Sequence, residues 1–370
     1  MKAVDELALL LRPAAGGLYV VSTGREEQLL VQRRIYGGAS ENDIARRWRE
    51  ALERASSARA VLLGVPSDVG AGFLRGSNLG PQAIRARILE EDPGFFARAA
   101  DKGLLDLGDV FVVPQLLHDD MLSPPQAAAS RAALYPGLTE VERARLPVSP
   151  LSIAERVLAL LFEANPRAGL LLLGGDHSCA LPAVRSLLAV RPGLAVVQVD
   201  AHTDLLPERL GIRYCFGTWS YHANDLLGRG GRLIQVGIRA SRHGRDHWES
   251  SLGVRQLWAE EVRADPSGAE DLVLDLVRRS GARTVYFSND IDGTDPALAS
   301  ATGTPEPGGL SADFVASLIR RLGGEISLAG GDVVEVAPSL AARDGEPDKT
   351  LAVAARYLRE TAEALLGAPV

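Results

Sequence analysis

The sequence predicts an α/β fold in three layers, a mainly parallel, doubly wound sheet with helices on both faces. Three observations predict it. Short apolar runs alternate with amphipathic stretches from residue 60 to the C-terminus. The runs are rich in Val, Leu and Ile and close on Gly, Asp or Asn, as strands buried on both faces do. The stretches between them carry helical apolar spacing and open on Pro or on a capping residue.

Taken in order, residues 1–59 read as an N-terminal extension with one good helix, 41–55, preceded by the Gly37-Gly38 turn. Residues 60–370 read as the main domain. Its first strand is Ala60-Val61-Leu62-Leu63-Gly64-Val65, and Pro81 to Glu91 follows as a helix with Pro in its first turn. Residues 104–150 fit the rhythm poorly, being rich in proline with a polar helical patch at 140–145. They read as an inserted segment, and for it as for residues 1–59 a surface elaboration or oligomer contact is weighed against a functional lid, binding element or interface arm. Strands are then expected at 169–173, 194–199, 233–236 and 284–288, and helices at 152–163, 269–279, 312–322 and 352–366. No internal repeat or low-complexity tract interrupts them.

Composition narrows the function classes. The chain has 370 residues, 46% hydrophobic and 24% charged, which describes a globular protein and not a disordered or fibrous one. Forty basic against 47 acidic residues give a net charge of −7, so no basic face for nucleic acid is indicated. Two cysteines, Cys179 and Cys215, cannot build a disulfide framework, which suits a reducing compartment. The apolar run Leu7 to Leu11 is too short for a signal core, and 157–173 is broken by Glu163, Asn165, Pro166 and Arg167. A cytoplasmic protein without a membrane span is expected.

The residues that carry chemistry stand just after three expected strands. Leu171 to Leu173 runs into Gly174-Gly175-Asp176-His177-Ser178, and Val196 to Val199 runs into Asp200-Ala201-His202-Thr203-Asp204. Val285 to Ser288 runs into Asn289-Asp290-Ile291-Asp292-Gly293-Thr294-Asp295-Pro296. In a doubly wound sheet the carboxyl ends of strands meet along one edge, where ligands bind. Asp200, His202 and Asp204 share one side of an extended backbone, and so do Asp290 and Asp292. One such cluster alone would be an ordinary turn or cap. Together they point four carboxylates and two imidazoles at a common place. Crowded carboxylates repel, and two divalent cations would cancel four Asp charges with His177 and His202 neutral as ligands. This oxygen-rich set suits Mn²⁺ best, leaves Ni²⁺ or Co²⁺ open, and excludes a thiolate zinc site. The other histidines, His118, His222, His243 and His247, show no such pattern.

Over residues 60–366 the chain resembles the ureohydrolases, the family of arginase, agmatinase, formiminoglutamase and guanidine hydrolase. The resemblance rests on the three clusters above in order, with Gly64-Val65-Pro66-Ser67-Asp68, Arg75-Gly76 and Gly80-Pro81-Gln82-Ala83-Ile84-Arg85 ahead of them. Thr302-Gly303-Thr304-Pro305-Glu306-Pro307-Gly308-Gly309-Leu310 and Asp332-Val333-Val334-Glu335-Val336-Ala337-Pro338 follow. The resemblance implies an arginase-like fold and a two-metal site. One metal would take His177, Asp200, Asp204 and Asp290; the other would take His202, Asp200, Asp290 and Asp292, with Asp200 and Asp290 bridging. A hydroxide held between the metals would attack the guanidinium carbon of a small guanidino substrate. Asp204 would pass a proton to the departing amine, and Glu335 would face the guanidinium. The family's oligomers imply a trimer or hexamer.

One departure is plain. Many ureohydrolases carry a proton-shuttling histidine after the second metal motif, where this chain reads Tyr214-Cys215-Phe216-Gly217-Thr218-Trp219, with Phe216 at that place. Phe216 is expected as an apolar wall of the substrate pocket, and His222 is weighed as a substitute shuttle. Arginases bind the amino-acid head with an Asn two residues after the last Asp of that motif. Here that residue is Leu206, which argues against arginine. The expected substrates are guanidine first, then agmatine or a guanidino acid, with Arg209 a candidate partner for a carboxylate. The alternatives are a formiminoglutamase-type hydrolase and a catalytically weak metal-binding relative.

Overall fold

The computed structural model describes residues 1–20, 23–340, 345–367 and 369–370. Among these described residues nine strands form one sheet: β1 (Leu11–Arg12), β2 (Ala60–Val65), β3 (Leu104–Val110), β4 (Gly169–Gly174), β5 (Leu194–Val199), β6 (Leu233–Ile238), β7 (Arg255–Trp258), β8 (Thr284–Asn289) and β9 (Leu328–Val333). Their order is β1-β3-β2-β4-β9-β8-β5-β6-β7, and every pair is parallel except β1 with β3. The three-layer architecture follows from side-chain alternation. Val61, Leu63, Leu170, Leu172, Leu194 and Val196 enter one core, and Ala60, Leu62, Leu171, Leu173, Val197 and Val199 enter the other. Helices close both faces. Pro150–Ala164 and Ala180–Val190 pack on the first core, and Gly80–Glu91, Pro266–Arg279, Ala312–Glu325 and Asp348–Leu366 pack on the second.

All five strands and all six helices expected from the apolar pattern form, within a few residues at their ends. Residues 1–59 contribute more than the single helix expected. Ala3–Leu10 and Glu41–Arg54 place Leu7, Leu10, Trp48 and Leu52 in the first core, and Trp48 Nε1 donates to the Leu107 carbonyl at 2.9 Å. Residues 104–150 begin not with a loop but with β3. Its acidic residues hide the strand from the sequence, because their partner lies elsewhere. Arg85, fully buried on Gly80–Glu91, binds Asp106 through Nε at 2.8 Å and Nη2 at 3.0 Å, and binds Asp109 at 2.5 Å.

Candidate metal centre

Four adjacent strands, β4, β9, β8 and β5, direct their carboxyl ends to one place. After β4 the chain turns against the end of β2, where Gly175 N–H donates to Val65 O and Asp176 N–H to Ser67 O, each at 2.9 Å. A Cβ on Gly175 would stand 2.0 Å from the Ser67 carbonyl oxygen, so only glycine permits this approach. The turn delivers His177. After β8, Asp290 caps a short turn by accepting the Asp292 N–H at 2.9 Å. After β9 comes Glu335, at φ +61°, and after β5 comes Asp204, at φ +52°. A left-handed backbone at a side chain other than glycine is uncommon, and here it falls on two carboxylates of the site.

The six residues expected as ligands converge. His177 Nδ1 lies 3.1 Å from Asp290 Oδ2, 3.2 Å from Asp200 Oδ2 and 3.4 Å from Asp204 Oδ2. His202 Nδ1 lies 3.0 Å from Asp292 Oδ2 and 3.6 Å from Asp200 Oδ1. Asp200 therefore faces one histidine with each oxygen and is common to two ligand groups, His177–Asp200–Asp290 and Asp200–His202–Asp292. Asp290 stands in the first group only.

All but His202 are buried, and burial and their mutual charges perturb their titration. Burial, reinforced by the Asp200 charge, pushes Asp204 well above the usual carboxylate range. Burial with the charges of Asp292 and Asp200 does the same to Asp290. Burial opposes charge on both histidines. Hydrogen bonds to Asp200 and Asp290 nevertheless drive His177 far up, and Asp292 with Asp200 drives His202 to about 12. The donor set, four carboxylates and two imidazoles, fits two hard or borderline divalent ions.

Supporting contacts surround the cluster. Ser288 Oγ is 3.0 Å from His177 Nε2 and 2.9 Å from Asp332 Oδ2, an arrangement that leaves His177 Nδ1 for a ligand role. The Trp219 ring stacks on His177 with centroids 4.4 Å apart, and its Nε1 donates to Asp204 Oδ2 at 3.0 Å. Thr304 Oγ1 donates to Asp292 Oδ2 at 3.0 Å. A row of buried amides reaches Asp200 from the far side: Gln256 donates to Gln235, Gln235 to Gln198, and Gln198 to Asp200 Oδ2, each at 2.8 Å. Sequence reasoning quoted Ser288, Trp219, Thr304 and Asp332 within its motifs without giving them a role here, and it missed the three glutamines. Their one available signal was a glutamine in the apolar run that ends at Asp200.

Two cavities open beside the cluster. The inner one, ≈ 70 Å³, brings Glu335 together with Phe216, Thr304 and Arg209, and the outer one, ≈ 530 Å³, contains His202, Asp204, Leu206, Arg209 and Phe216. Glu335 Oε1 accepts the His177 N–H at 2.8 Å, and burial, then Asp176, raises its pKa. His222 lines neither cavity; its Nε2 lies 2.9 Å from the Arg213 carbonyl oxygen, and its ring packs on Tyr214 and Tyr221. Among the described residues no helix is long and apolar enough to cross a membrane.

The sequence pattern of the Arginase family matches residues 58–363. The solved structure of proclavaminate amidinohydrolase from Streptomyces clavuligerus superposes with a TM-score of 0.62 at 32% identity, covering 82% of this chain and 92% of that one. Guanidinobutyrase of Pseudomonas aeruginosa is 30% identical over 260 residues, 68% of this chain and 70% of its own. Agmatinase of Photorhabdus laumondii is 32% identical over 266 residues, 70% of this chain and 73% of its own.

Proposed function

The chain belongs to the arginase family, and from that premise we propose that it is a binuclear metal-dependent hydrolase of a small guanidino compound. It is a hydrolase of C–N bonds in amidines, as its family and its relatives' names state. The observation that carries the finer reading is Asp200, whose two oxygens face His177 and His202 in two ligand groups. His177, Asp200, Asp204 and Asp290 would hold one ion and His202, Asp200, Asp290 and Asp292 the other, with Asp200 and Asp290 as the bridging candidates. Bound there, the ions would supply charge neutralisation and a nucleophile derived from water near neutral pH.

The chain's own residues do the rest. Glu335, buried at the inner cavity, places a carboxylate against a delocalised cation, and its hydrogen bond from His177 N–H fixes its direction. Phe216 walls the cavity and limits the water admitted. Asp204 lines the outer cavity, and its position supports proton delivery to the leaving nitrogen. Water adds to the guanidinium carbon, the C–N bond to the tail breaks, and urea and an amine (ammonia for free guanidine) leave. Guanidine, agmatine and guanidino acids are the candidate substrates. Leu206, in the outer cavity where arginases place an Asn, weighs against arginine. Manganese as the resident ion, with nickel next, a cytoplasmic setting and a trimeric or hexameric assembly belong to the same proposal.

The test is urea release from a panel of guanidine, agmatine, arginine, guanidinobutyrate and formiminoglutamate, with Mn²⁺ and with Ni²⁺. Urea from a guanidino member other than arginine as the best substrate is expected. Formamide from formiminoglutamate alone would overturn the reading.

A further inference from the structure

We propose that Arg209 is a specificity residue that receives a carboxylate at the far end of the substrate, so that guanidino acids are preferred over guanidino amines. The proposal rests on the guanidino-hydrolase reading above and concerns the other end of the same molecule.

Its basis is the distribution of charge along the two cavities. Among the described residues Arg209 and Phe216 are the two that line both. The inner cavity, ≈ 70 Å³, holds the Glu335 carboxylate and has room for a guanidinium head, not for a head with its tail. The outer cavity, ≈ 530 Å³, is of the size that takes a small-molecule tail. Its cationic residues are Arg209 and Arg242, and His243 lines it too, whereas its one carboxylate is Asp204, already assigned to the metal site. Among the lining residues an ammonium tail would meet two guanidinium groups and only the Asp204 carboxylate, since Glu306, 3.8 Å from His202 Nε2, lies outside that lining. A carboxylate tail would meet its complement.

Arg209 is also built as a receiver. Its N–H and carbonyl exchange 2.9 Å hydrogen bonds with Ile212, closing a tight loop over the cavity. Its Cζ stands 5.0 Å from the centre of the Phe216 ring, a cation–π contact that lays the planar fork across the boundary between the cavities. Phe216 is held in turn by its N–H to the Gly70 carbonyl at 3.0 Å. Among the described residues the guanidinium of Arg209 has the Phe216 ring as its recorded contact and no acidic side chain or hydrogen-bond acceptor, so its donors are open to a ligand. Phe216 thus does more than wall the pocket: it is the platform on which the tail-reading cation lies.

The test uses three probes with the same head and tail length, namely 4-guanidinobutyrate, butylguanidine and agmatine, assayed for urea release by the metal-loaded protein. The carboxylate probe is expected to have the highest kcat/KM and agmatine the lowest. Arg209→Gln is expected to lower the ratio of kcat/KM for guanidinobutyrate to that for butylguanidine by about 10- to 100-fold, mostly through KM, as loss of a charge-assisted hydrogen bond implies. Arg209→Lys should recover part of that ratio, and Arg209→Glu should move the preference toward agmatine. An unchanged ratio in Arg209→Gln, or a wild type that prefers agmatine, overturns the proposal. Butylguanidine turnover without tail preference overturns it while leaving the hydrolase reading in place; no urea from any probe overturns both. Calorimetric binding of 4-aminobutyrate and of 1,4-diaminobutane to the wild type gives a check independent of any variant. Tighter binding of the diamine overturns the proposal.

Discussion

Gln198→Leu is expected to weaken metal binding without disrupting the fold. Gln198, Gln235 and Gln256 are mutual partners in the register of β5, β6 and β7, so their side chains stand side by side on one face of the sheet. Asp200 can only accept a hydrogen bond, which forces Gln198 to present its NH₂ at 2.8 Å and its carbonyl to Gln235. The same logic orients Gln235 and Gln256, and Trp258 Nε1 ends the row at 3.3 Å from Gln256 Oε1. Leucine has nearly the same volume and removes the donor to Asp200. A hydrogen bond to a charged group is worth about 1.5–3 kcal/mol, hence about 10- to 100-fold in metal affinity, the range seen when outer partners of metal ligands are removed. The assay is titration of metal-free protein with Mn²⁺ against a competing chromophoric chelator. Gln256→Leu, two amides away, should lose less. Wild-type affinity in Gln198→Leu would refute the reasoning and reduce the row of amides to core packing.

Other outcomes follow from the same geometry. Glu335→Gln should retain fold and metal content while losing about 2–5 kcal/mol of transition-state stabilisation, read as kcat/KM for the best guanidino substrate. A near wild-type value would show that Glu335 only anchors His177 N–H. Arg85→Leu should destabilise the fold by about 3–5 kcal/mol, since it strands the buried carboxylates of Asp106 and Asp109, and urea denaturation measures it. Metal affinity should rise with pH. Without metal, His177 and His202 hold protons to high pH and Asp204 and Asp290 hold theirs above the carboxylate range, so loading must displace them. Chelator competition at two pH values a unit apart checks the sign; affinity that falls with pH would contradict it. Metal removal should also lower the melting temperature.

Three of the four strands that carry the site, β4, β5 and β8, were legible because each is an apolar run ending in its own acidic or histidine cluster. The strands that escaped did so for nonlocal reasons. In β9, a Cβ on Gly330 would lie 2.5 Å from the Leu170 carbonyl, so the close approach of β4 demands glycine and erases the apolar pattern. In β3, Asp106 and Asp109 read as loop residues until Arg85 arrives from another element. The same distinction runs through the centre itself. His177, Asp200, His202, Asp204, Asp290 and Asp292 were visible through strand-end position and alternation. Gln235, Gln256 and Trp219 touch the site only through sheet register and helix packing, which no local pattern records. Arg209 was visible as a candidate cation, but its seat on Phe216 emerged only from the folded loop.

The central claim is that Asp200 is shared between two metal positions. Elemental analysis of wild type and Asp200→Ala, reconstituted with Mn²⁺ side by side and desalted, tests it most directly. The account predicts two equivalents per chain in the wild type and loss of both in the variant. Two full equivalents in Asp200→Ala, or a single equivalent in the wild type, would contradict it.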